Sequence, residues 1–72
     1  MLSDAAKDVL RFIARSHEPT DYQLDRYVMS KHGPEAVGPV AVELRDGGFA
    51  ERFSVGEFSR WRLTASGMEA TR

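Results

Sequence analysis

The sequence of 72 residues contains no cysteine. This absence excludes disulfide bonds and thiolate metal ligands, and it fits a reducing compartment. Only two histidines are present, His17 and His32, and neither belongs to a spacing that resembles a set of metal ligands. We therefore expect no metal site in this protein.

Long hydrophobic runs are lacking as well. No apolar stretch approaches the roughly 18 residues that span a bilayer. The N-terminal residues, MLSDAAKD, lack the basic region and apolar run of a signal peptide. We therefore expect a cytoplasmic protein without a membrane partner. The sequence also has no glycine-rich phosphate loop and no arrangement of Ser, His and Asp that predicts catalysis. An enzyme, a cofactor and a small-molecule substrate are accordingly not predicted.

An excess of charge of either sign is absent too. Ten basic residues face eleven acidic ones, which gives a net charge of −1. Since dedicated nucleic-acid binders carry a basic patch, this chain can have one only locally. Apolar residues make up 42% and charged residues 29%, as in globular domains, and we assign residues 1–72 to a single domain. A domain of this size has an expected free energy of unfolding of roughly 3–5 kcal/mol.

Two helices are predicted in the first half of the chain. The first covers residues 4–16, because Ser3 is a favourable N-cap and apolar residues follow at spacings i, i+3, i+4 and i+7. The second covers residues 20–30, because Thr20 and Gln23 have the spacing of a capping box. The following Lys-His-Gly-Pro run predicts a turn.

A third helix should begin between residues 35 and 37 and should contain Pro39 in its first turn. Proline is tolerated there because its missing N–H would have no helical partner. Gly47 or Gly48 is expected to provide a left-handed cap at the end of the helix. The predicted buried stripe consists of Val37, Val40, Ala41 and Leu44.

A β-hairpin is predicted after the third helix, with strands over residues 49–53 and 58–63 and a turn over residues 54–57. A last helical turn over residues 65–71 should be capped by Thr64. Three helices, a hairpin and a short helical turn define an α+β class that is mostly α. This order predicts a winged helix-turn-helix, with the hairpin as its wing.

Alternation along the second strand separates its side chains into two faces. Trp61 and Leu63 fall on one face, whereas Arg60 and Arg62 fall on the other. An exposed tryptophan can stack on nucleic-acid bases. A domain this small needs large apolar side chains in its core, however, so we predict that Trp61 is buried.

Two sequence runs, VELRDGGFAER and WRLTASGMEA, resemble winged-helix DNA-binding proteins of the MarR kind. That family has the patterns L-x-x-x-G-[LF]-[VA]-x-R and L-T-x-x-G. The matching residues are Leu44, Gly48, Phe49, Ala50, Arg52, Leu63, Thr64 and Gly67. The GPVAVELRDGGF segment looks closer still to small phage-encoded winged-helix proteins. The resemblance covers residues 4–70 and implies a transcription or DNA-process regulator with double-stranded DNA as its partner. A homodimer is compatible with it.

The resemblance implies DNA contacts from the wing and from the turn before the third helix. The hairpin, residues 49–63, has three arginines and two glutamates and hence a local charge of +1. Such arginines suit phosphate oxygens or the minor groove. They can equally pair with the glutamates of the hairpin. The candidate DNA-binding residues are Arg60, Arg62, Arg52, Lys31, His32 and Arg26.

The alternative is a winged-helix module that binds protein and does not bind DNA. Residues 35–48 contain one arginine and three acidic residues, a net charge of −2 that would be repelled by phosphates. If Phe53 and Phe58 point outward, they form an apolar patch that suits a protein partner. The candidate protein-binding face of the third helix consists of Pro39, Val42, Glu43 and Asp46.

Overall fold

The computed structural model describes residues 2–72 and confirms the predicted order of three helices, a hairpin and a short helix. The elements are α1 (Asp4–Ser16), α2 (Asp21–His32), a 3-10 turn (Pro34–Ala36), α3 (Val37–Asp46), β1 (Ala50–Val55), β2 (Phe58–Leu63) and α4 (Ala65–Ala70). Their arrangement is a winged helix-turn-helix that is mostly helical, as the sequence predicts.

The core lies where α1 packs against α2, α3 and one face of the hairpin. Trp61 is only 2% exposed, which confirms that it is a core residue. The fully buried apolar side chains come from all of these elements, so no single element buries its own apolar surface. The core residues are Ala6, Val9, Leu10, Ile13, Leu24, Val28, Val40, Leu44, Ala50 and Trp61.

The predicted helix caps of α1 and α2 are confirmed. The hydroxyl of Ser3 accepts a hydrogen bond from the N–H of Ala6, so it satisfies one of the free donors at the start of α1. Thr20 and Gln23 form a complete capping box, in which each side chain accepts from the main-chain N–H of the other residue. Both caps are local, which is why the sequence predicts them well.

Helix α2 extends two residues beyond its predicted end and ends at His32. The N–H of Gly33 still donates to the carbonyl of Met29, which completes the last turn. The ring of His32 is also hydrogen-bonded to Asp8 of α1. This tertiary contact stabilises a helix end that the local sequence alone predicts to fade near Ser30.

Helix α3 begins after the 3-10 turn, with Pro39 exposed in its first turn as predicted. Gly48, with φ of +76°, has the left-handed conformation, whereas Gly47 has φ of −77°. The predicted stripe is only partly buried: Val40 and Leu44 are in the core, while Val37 and Ala41 pack against its edge.

The hairpin is longer and its turn tighter than predicted. Strand β1 starts at Ala50 and continues to Val55, and the turn consists only of Gly56 and Glu57. Gly56 has φ of +61°, a value that favours glycine. Phe49 lies outside β1 because its N–H donates to the carbonyl of Leu44 and so closes the end of α3.

Helix α4 follows β2 and is joined to the start of the wing by hydrogen bonds of its N-cap residue, Thr64. The hydroxyl of Thr64 accepts from the N–H of Gly67 at 3.1 Å, as predicted for an N-cap, and donates to the carbonyl of Gly48 at 2.5 Å. The N–H of Thr64 donates to the carbonyl of Phe49. These bonds join α4 to the segment between α3 and β1. The helix ends at Ala70, one residue earlier than predicted.

Candidate nucleic-acid interface

The register of the hairpin divides the predicted wing arginines between two faces. Residues directly opposite each other in an antiparallel pair point to the same side. The outer wing face therefore consists of Glu51, Phe53, Val55, Phe58, Arg60 and Arg62, and the inner wing face of Ala50, Arg52, Ser54, Ser59, Trp61 and Leu63. The three arginines of the hairpin therefore do not form one cluster, because Arg52 pairs with Trp61 and lies on the face opposite Arg60 and Arg62.

Arg52 is held against the start of α2. Its guanidinium forms an ion pair with one carboxylate oxygen of Asp21, and the indole N–H of Trp61 donates to the other oxygen at 2.6 Å. The guanidinium also lies 6.0 Å from the centroid of the Trp61 ring. Burial and the nearby charge of Asp21 raise the pKa of Asp25, against the effect of Arg52. The charge of Arg52 is therefore balanced by acidic neighbours, and its contacts fix the wing relative to α2.

The two arginines of the outer wing face differ in their partners. Arg62 donates from Nε to Glu51 at 2.6 Å, and its guanidinium stacks 4.6 Å from the centroid of the Phe53 ring. Arg60 donates from Nη1 to the main-chain carbonyl of Glu18 at 2.8 Å. Among residues 2–72, no carboxylate lies within 4 Å of Arg60. Arg60 therefore keeps an unbalanced positive charge, whereas that of Arg62 is paired.

His32 and Lys31, at the end of α2, also differ. The Nε2 atom of His32 lies 2.8 Å from the Asp8 carboxylate, which also accepts from the hydroxyl of Tyr27. Since a carboxylate only accepts, the ring nitrogen is the donor. Partial burial works to raise the pKa of Asp8, but the bonds from His32 and Tyr27 hold it below its ordinary value. Lys31 is exposed, and in the described part of the chain it has no carboxylate partner.

Arg26 is an exposed cation whose position is fixed by an aromatic side chain. Its guanidinium donates to the hydroxyl of Tyr22 at 2.9 Å and lies 5.6 Å from the ring centroid. Over residues 2–72 it forms no ion pair. Arg26 thus presents a full positive charge to solvent in a defined orientation.

The exposed face of α3 is less acidic than the sequence indicates. Glu43 is half-buried and accepts from both the main-chain N–H and the hydroxyl of Ser3, at 2.6 and 2.9 Å. Glu43 therefore binds Ser3, the N-cap residue of α1, and its carboxylate is not free for a partner as the predicted protein-binding face requires. Asp46 lies 3.5 Å from Arg45, so that pair is nearly neutral. Pro39 and Val42 remain exposed, as predicted for that face.

Three further unpaired cations lie on α1 and were not among the predicted site residues. Lys7, Arg11 and Arg15 are exposed, and none forms an ion pair within residues 2–72. Their spacing of i, i+4 and i+8 on a predicted helix is the signal that could have identified them. Arg15 lies 5.9 Å from the centroids of both the Phe12 and Tyr27 rings, which stack on each other.

An open groove of about 370 Å³ lies between the end of α1, the end of β2 and α4. We refer to it as the basal groove. The sequence does not predict it, because its walls come from three separate segments that only the tertiary structure brings together. It is lined by Ile13, Ala14, His17, Glu18, Arg62, Leu63, Met68 and Thr71.

Metal-binding and membrane-spanning features were sought in the same residues. Across positions 2–72, no three His, Asp or Glu side chains are grouped closely enough to hold a metal ion. None of the helices in this range is both long and apolar enough to cross a membrane.

Sequence comparison finds no protein-family model and no curated protein that matches this chain. Structure comparison does find similar folds. MarR from Escherichia coli superposes with a TM-score of 0.80 at 23% identity, over 97% of this chain and 50% of MarR. ZitR from Lactococcus lactis gives 0.79 at 16% identity, over 97% and 48%. RosR from H. salinarum gives 0.76 at 17% identity, over 97% and 67%.

This chain spans about half the length of the MarR and ZitR chains that it matches. The superposition on MarR covers 97% of this chain and so includes nearly all of its elements, from α1 through the wing to α4. These superpositions establish the fold. At identities of 16 to 23% they do not establish the function, which has to be argued from the site. The chain is a winged helix-turn-helix domain with the MarR-like fold, as its L-x-x-x-G-F-A-x-R and L-T-x-x-G motifs predicted.

Proposed function

We propose that this domain binds duplex DNA as a small winged-helix regulator. The observation that carries the proposal is the position of three predicted contact residues that lack a carboxylate partner within residues 2–72. They are Arg26 on α2, Lys31 in the last turn of α2 and Arg60 on the wing. Phosphate oxygens can bind such cations without first displacing an internal ion pair. The likeness of residues 38–49 to phage-encoded winged-helix proteins supports a regulator of that type.

The exposed face of α3 offers few groups for base readout, so binding would depend on the phosphate contacts of Arg26, Lys31 and Arg60. Gly38, Pro39 and Val42 offer no side-chain donors or acceptors, and Arg45 is engaged with Asp46. Apolar side chains can contact thymine methyl groups but cannot read the hydrogen-bonding edges of bases. We therefore expect modest discrimination between DNA sequences and a strong dependence of affinity on salt.

The test is a titration of labelled duplex DNA by fluorescence anisotropy between about 20 and 200 mM salt. Replacing Arg26 and Lys31 together by alanine should reduce the slope of log K against log salt by about 1.8, since each lost phosphate contact removes about 0.9. Arg72→Ala is the control for loss of a positive charge. Arg72 follows α4 and already pairs with Glu69, so its removal should change the slope less. A wild-type protein that fails to bind at 20 mM salt, or an unchanged slope in the double variant, would refute the proposal.

The wing arginines provide an internal comparison. Arg60→Ala should lower the slope by close to one unit, because Arg60 has no carboxylate to balance it. Arg62→Ala should have a smaller effect, since Arg62 already pairs with Glu51. Far-UV circular dichroism of both variants should match the wild type. Equal effects of the two substitutions would show that the ion pair of Arg62 opens when DNA binds.

A second candidate function is protein binding through α3. Val42 is 46% exposed beside Pro39, on a face without free hydrogen-bonding groups, which suits an apolar partner surface. Val42→Glu should abolish such a complex by burying an unpaired charge. Cross-linking of wild type and Val42→Glu in the presence of a cell extract tests this function. A cross-linked product that is equally abundant for both proteins would contradict it.

A further inference from the structure

We infer that bound duplex DNA lies across the outer surface of α1 and α2, where three cations of α1 bind phosphates together with the two cations of α2. We refer to this surface as the α1–α2 face. This placement rests on the proposed function, because it adds contacts to the same DNA. It departs from the predicted site in adding α1, which contains none of the predicted contact residues. The face consists of Lys7, Arg11, Arg15, Arg26 and Lys31.

Positive charge is concentrated on this face. Within the two helices, both of which the structure describes in full, the exposed charged side chains are five cations and one carboxylate, that of Asp4. The chain as a whole has a net charge of −1, so the remainder is net acidic. Such a separation of charge attracts a polyanion to one side of the protein.

The other carboxylates of the two helices are half-buried and engaged elsewhere. Asp8 lies 2.8 Å from Nε2 of His32. Asp21 forms an ion pair with Arg52 of the wing, and Asp25 lies close to both of these residues. None of the five cations of the α1–α2 face forms an ion pair over positions 2–72. Their charges therefore remain available to phosphates.

Aromatic stacking between the helices joins the cations of α1 to those of α2. The rings of Phe12 and Tyr27 stack with centroids 4.1 Å apart, and the guanidinium of Arg15 lies 5.9 Å from each centroid. Arg26 is the chain neighbour of Tyr27. It points away from the core, because two residues separate it from the buried Leu24 and rotate the helix by about 200°. The row of cations on α1 thus meets α2 next to Arg26.

Lys31 adjoins the same row. Burial of Asp8 works to raise its pKa, whereas its hydrogen bonds and the nearby charge of Lys31 lower it. Asp8 is the chain neighbour of Lys7 and lies one helical turn before Arg11. The end of α2 therefore places its lysine beside the first two cations of α1.

Arg60 of the wing borders the other end of the face. Its Nη1 donates to the carbonyl of Glu18 at 2.8 Å. Glu18 follows Arg15 by three residues, so their Cα atoms are at most about 11 Å apart. The carboxylate of Glu18 is exposed at this end, and the charge of Arg60 offsets it. The wing contact of the proposed function is thus close to the α1–α2 face.

The spacing of the α1 cations suits a duplex. Lys7, Arg11 and Arg15 follow one another at steps of about 6 Å and cover about 12 Å. Duplex DNA has one negative charge for about every 1.7 Å of its axis, so this length presents about seven phosphates. Each cation can therefore bind a phosphate of its own. Stacking on the two rings holds Arg15 in place, which reduces the entropy that it loses on binding.

The composition of the face favours a polyanion over a protein. In the described part of the chain, α1 exposes no large apolar side chain. On α2, the exposed Tyr22 supports Arg26 through a hydrogen bond, and Met29 is the other exposed large apolar residue. Protein interfaces have a continuous apolar core, which one methionine does not provide.

The first experiment replaces Lys7, Arg11 and Arg15 together by alanine. A labelled duplex of about two helical turns is titrated by fluorescence anisotropy between about 20 and 200 mM salt. The slope of log K against log salt should decrease in magnitude by about 2.7, since each lost phosphate contact removes about 0.9. Adding Arg26→Ala and Lys31→Ala should bring the total decrease to about 4.5. Alanine favours helix, so far-UV circular dichroism should be unchanged.

Arg11→Ala and Arg45→Ala form a matched pair of single variants. Both arginines are exposed on helices, but Arg45 lies on α3 and pairs with Asp46. Arg11→Ala should decrease the slope by about 0.9, and Arg45→Ala should leave it nearly unchanged. The opposite result would place the DNA on α3 and overturn the inference.

Asp4→Asn provides a test of the opposite sign. It removes the one exposed carboxylate of α1, so affinity at about 20 mM salt should rise by about 1.5- to fivefold. A partly unfolded variant would bind more weakly, so a gain in affinity has no such explanation. An affinity that does not rise would contradict the placement of DNA on α1.

Failure of this placement is distinguishable from failure of the proposed function. An unchanged slope in the triple α1 variant, with a decreased slope in the Arg26 and Lys31 variant, overturns the inference and leaves the proposed function standing. An unchanged slope in the Arg26 and Lys31 variant refutes the proposed function and the common face with it. A triple variant that keeps full duplex binding but no longer binds polyglutamate would identify an acidic protein as the partner of α1, and the inference would be wrong.

Discussion

Gly67→Ala should strongly destabilise this domain. Gly67 is buried in α4, and a Cβ atom there would lie 3.0 Å from the carbonyl carbon of Phe49 and closer still to its oxygen. The obstacle is main chain, so no rotamer change can relieve it. The carbonyl of Phe49 also accepts from the N–H of Thr64, which fixes its position. Either α4 must move away or that hydrogen bond must break.

The size of the effect follows from three contributions. Forced overpacking costs about 1–3 kcal/mol. Loss of the bond between Thr64 and Phe49 adds about 0.5–1.5 kcal/mol. The higher helix propensity of alanine offsets at most about 1 kcal/mol. The net loss should be about 0.5–3.5 kcal/mol, against the roughly 3–5 kcal/mol expected for so small a domain. The melting temperature should fall by roughly 2–25 °C.

Gly38→Ala is a control with the same chemistry and a much smaller expected effect. Gly38 lies in α3, and apart from its chain neighbours and the main chain of the helix no atom lies within 4 Å of the position that a Cβ would occupy. The higher helix propensity of alanine is opposed by the clash of its Cβ with the ring of Pro39, so the free energy of unfolding should change by less than about 1 kcal/mol. Urea unfolding followed by circular dichroism compares the two variants with the wild type. A midpoint for Gly67→Ala at or above that of the wild type would refute the packing of α4 against Phe49.

Two further predictions concern the helical core. Leu44 is fully buried, so Leu44→Ala should lower the free energy of unfolding by about 2–5 kcal/mol, and an unchanged urea midpoint would show that α3 is wrongly placed. The pKa of Asp8 is below its ordinary value, so its stabilising effect is complete above about pH 5 and disappears as the pH falls through the folded-state pKa. Thermal melts of wild type and Asp8→Asn should therefore differ at pH 6 and converge towards about pH 3, and a constant difference across this range would contradict the role of the carboxylate.

The sequence predicted those parts of the fold that depend on neighbours in the chain. Helix α1 has the predicted bounds, and the caps at Ser3, Thr20 and Thr64 form as expected. Each depends on backbone geometry and on residues within a single turn. Pro39 lies in the first turn of α3 for the same reason, because proline is tolerated only there.

The candidate site was predicted less well, because the sequence shows which residues are charged but not which charges meet. The alternation of the strands assigned Arg60 and Arg62 to one face correctly. Arg52 belongs to the other face, where Asp21 of α2 pairs with it across 31 positions of sequence. The outer wing face therefore has two arginines, Arg60 and Arg62, and not the three that the hairpin contains.

Side-chain identity and period therefore determined which elements form and their order, which defines a winged helix. Only the tertiary structure decided where α2 ends, how much of the α3 stripe is buried and which charges remain unpaired. Glu43 binds Ser3 across 40 positions, and Asp8 binds His32 across 24. Such pairs form because packing of the apolar faces brings distant helices together. A local pattern contains no information about these distances, and so the free cations and the basal groove emerge only when the helices and the wing are packed.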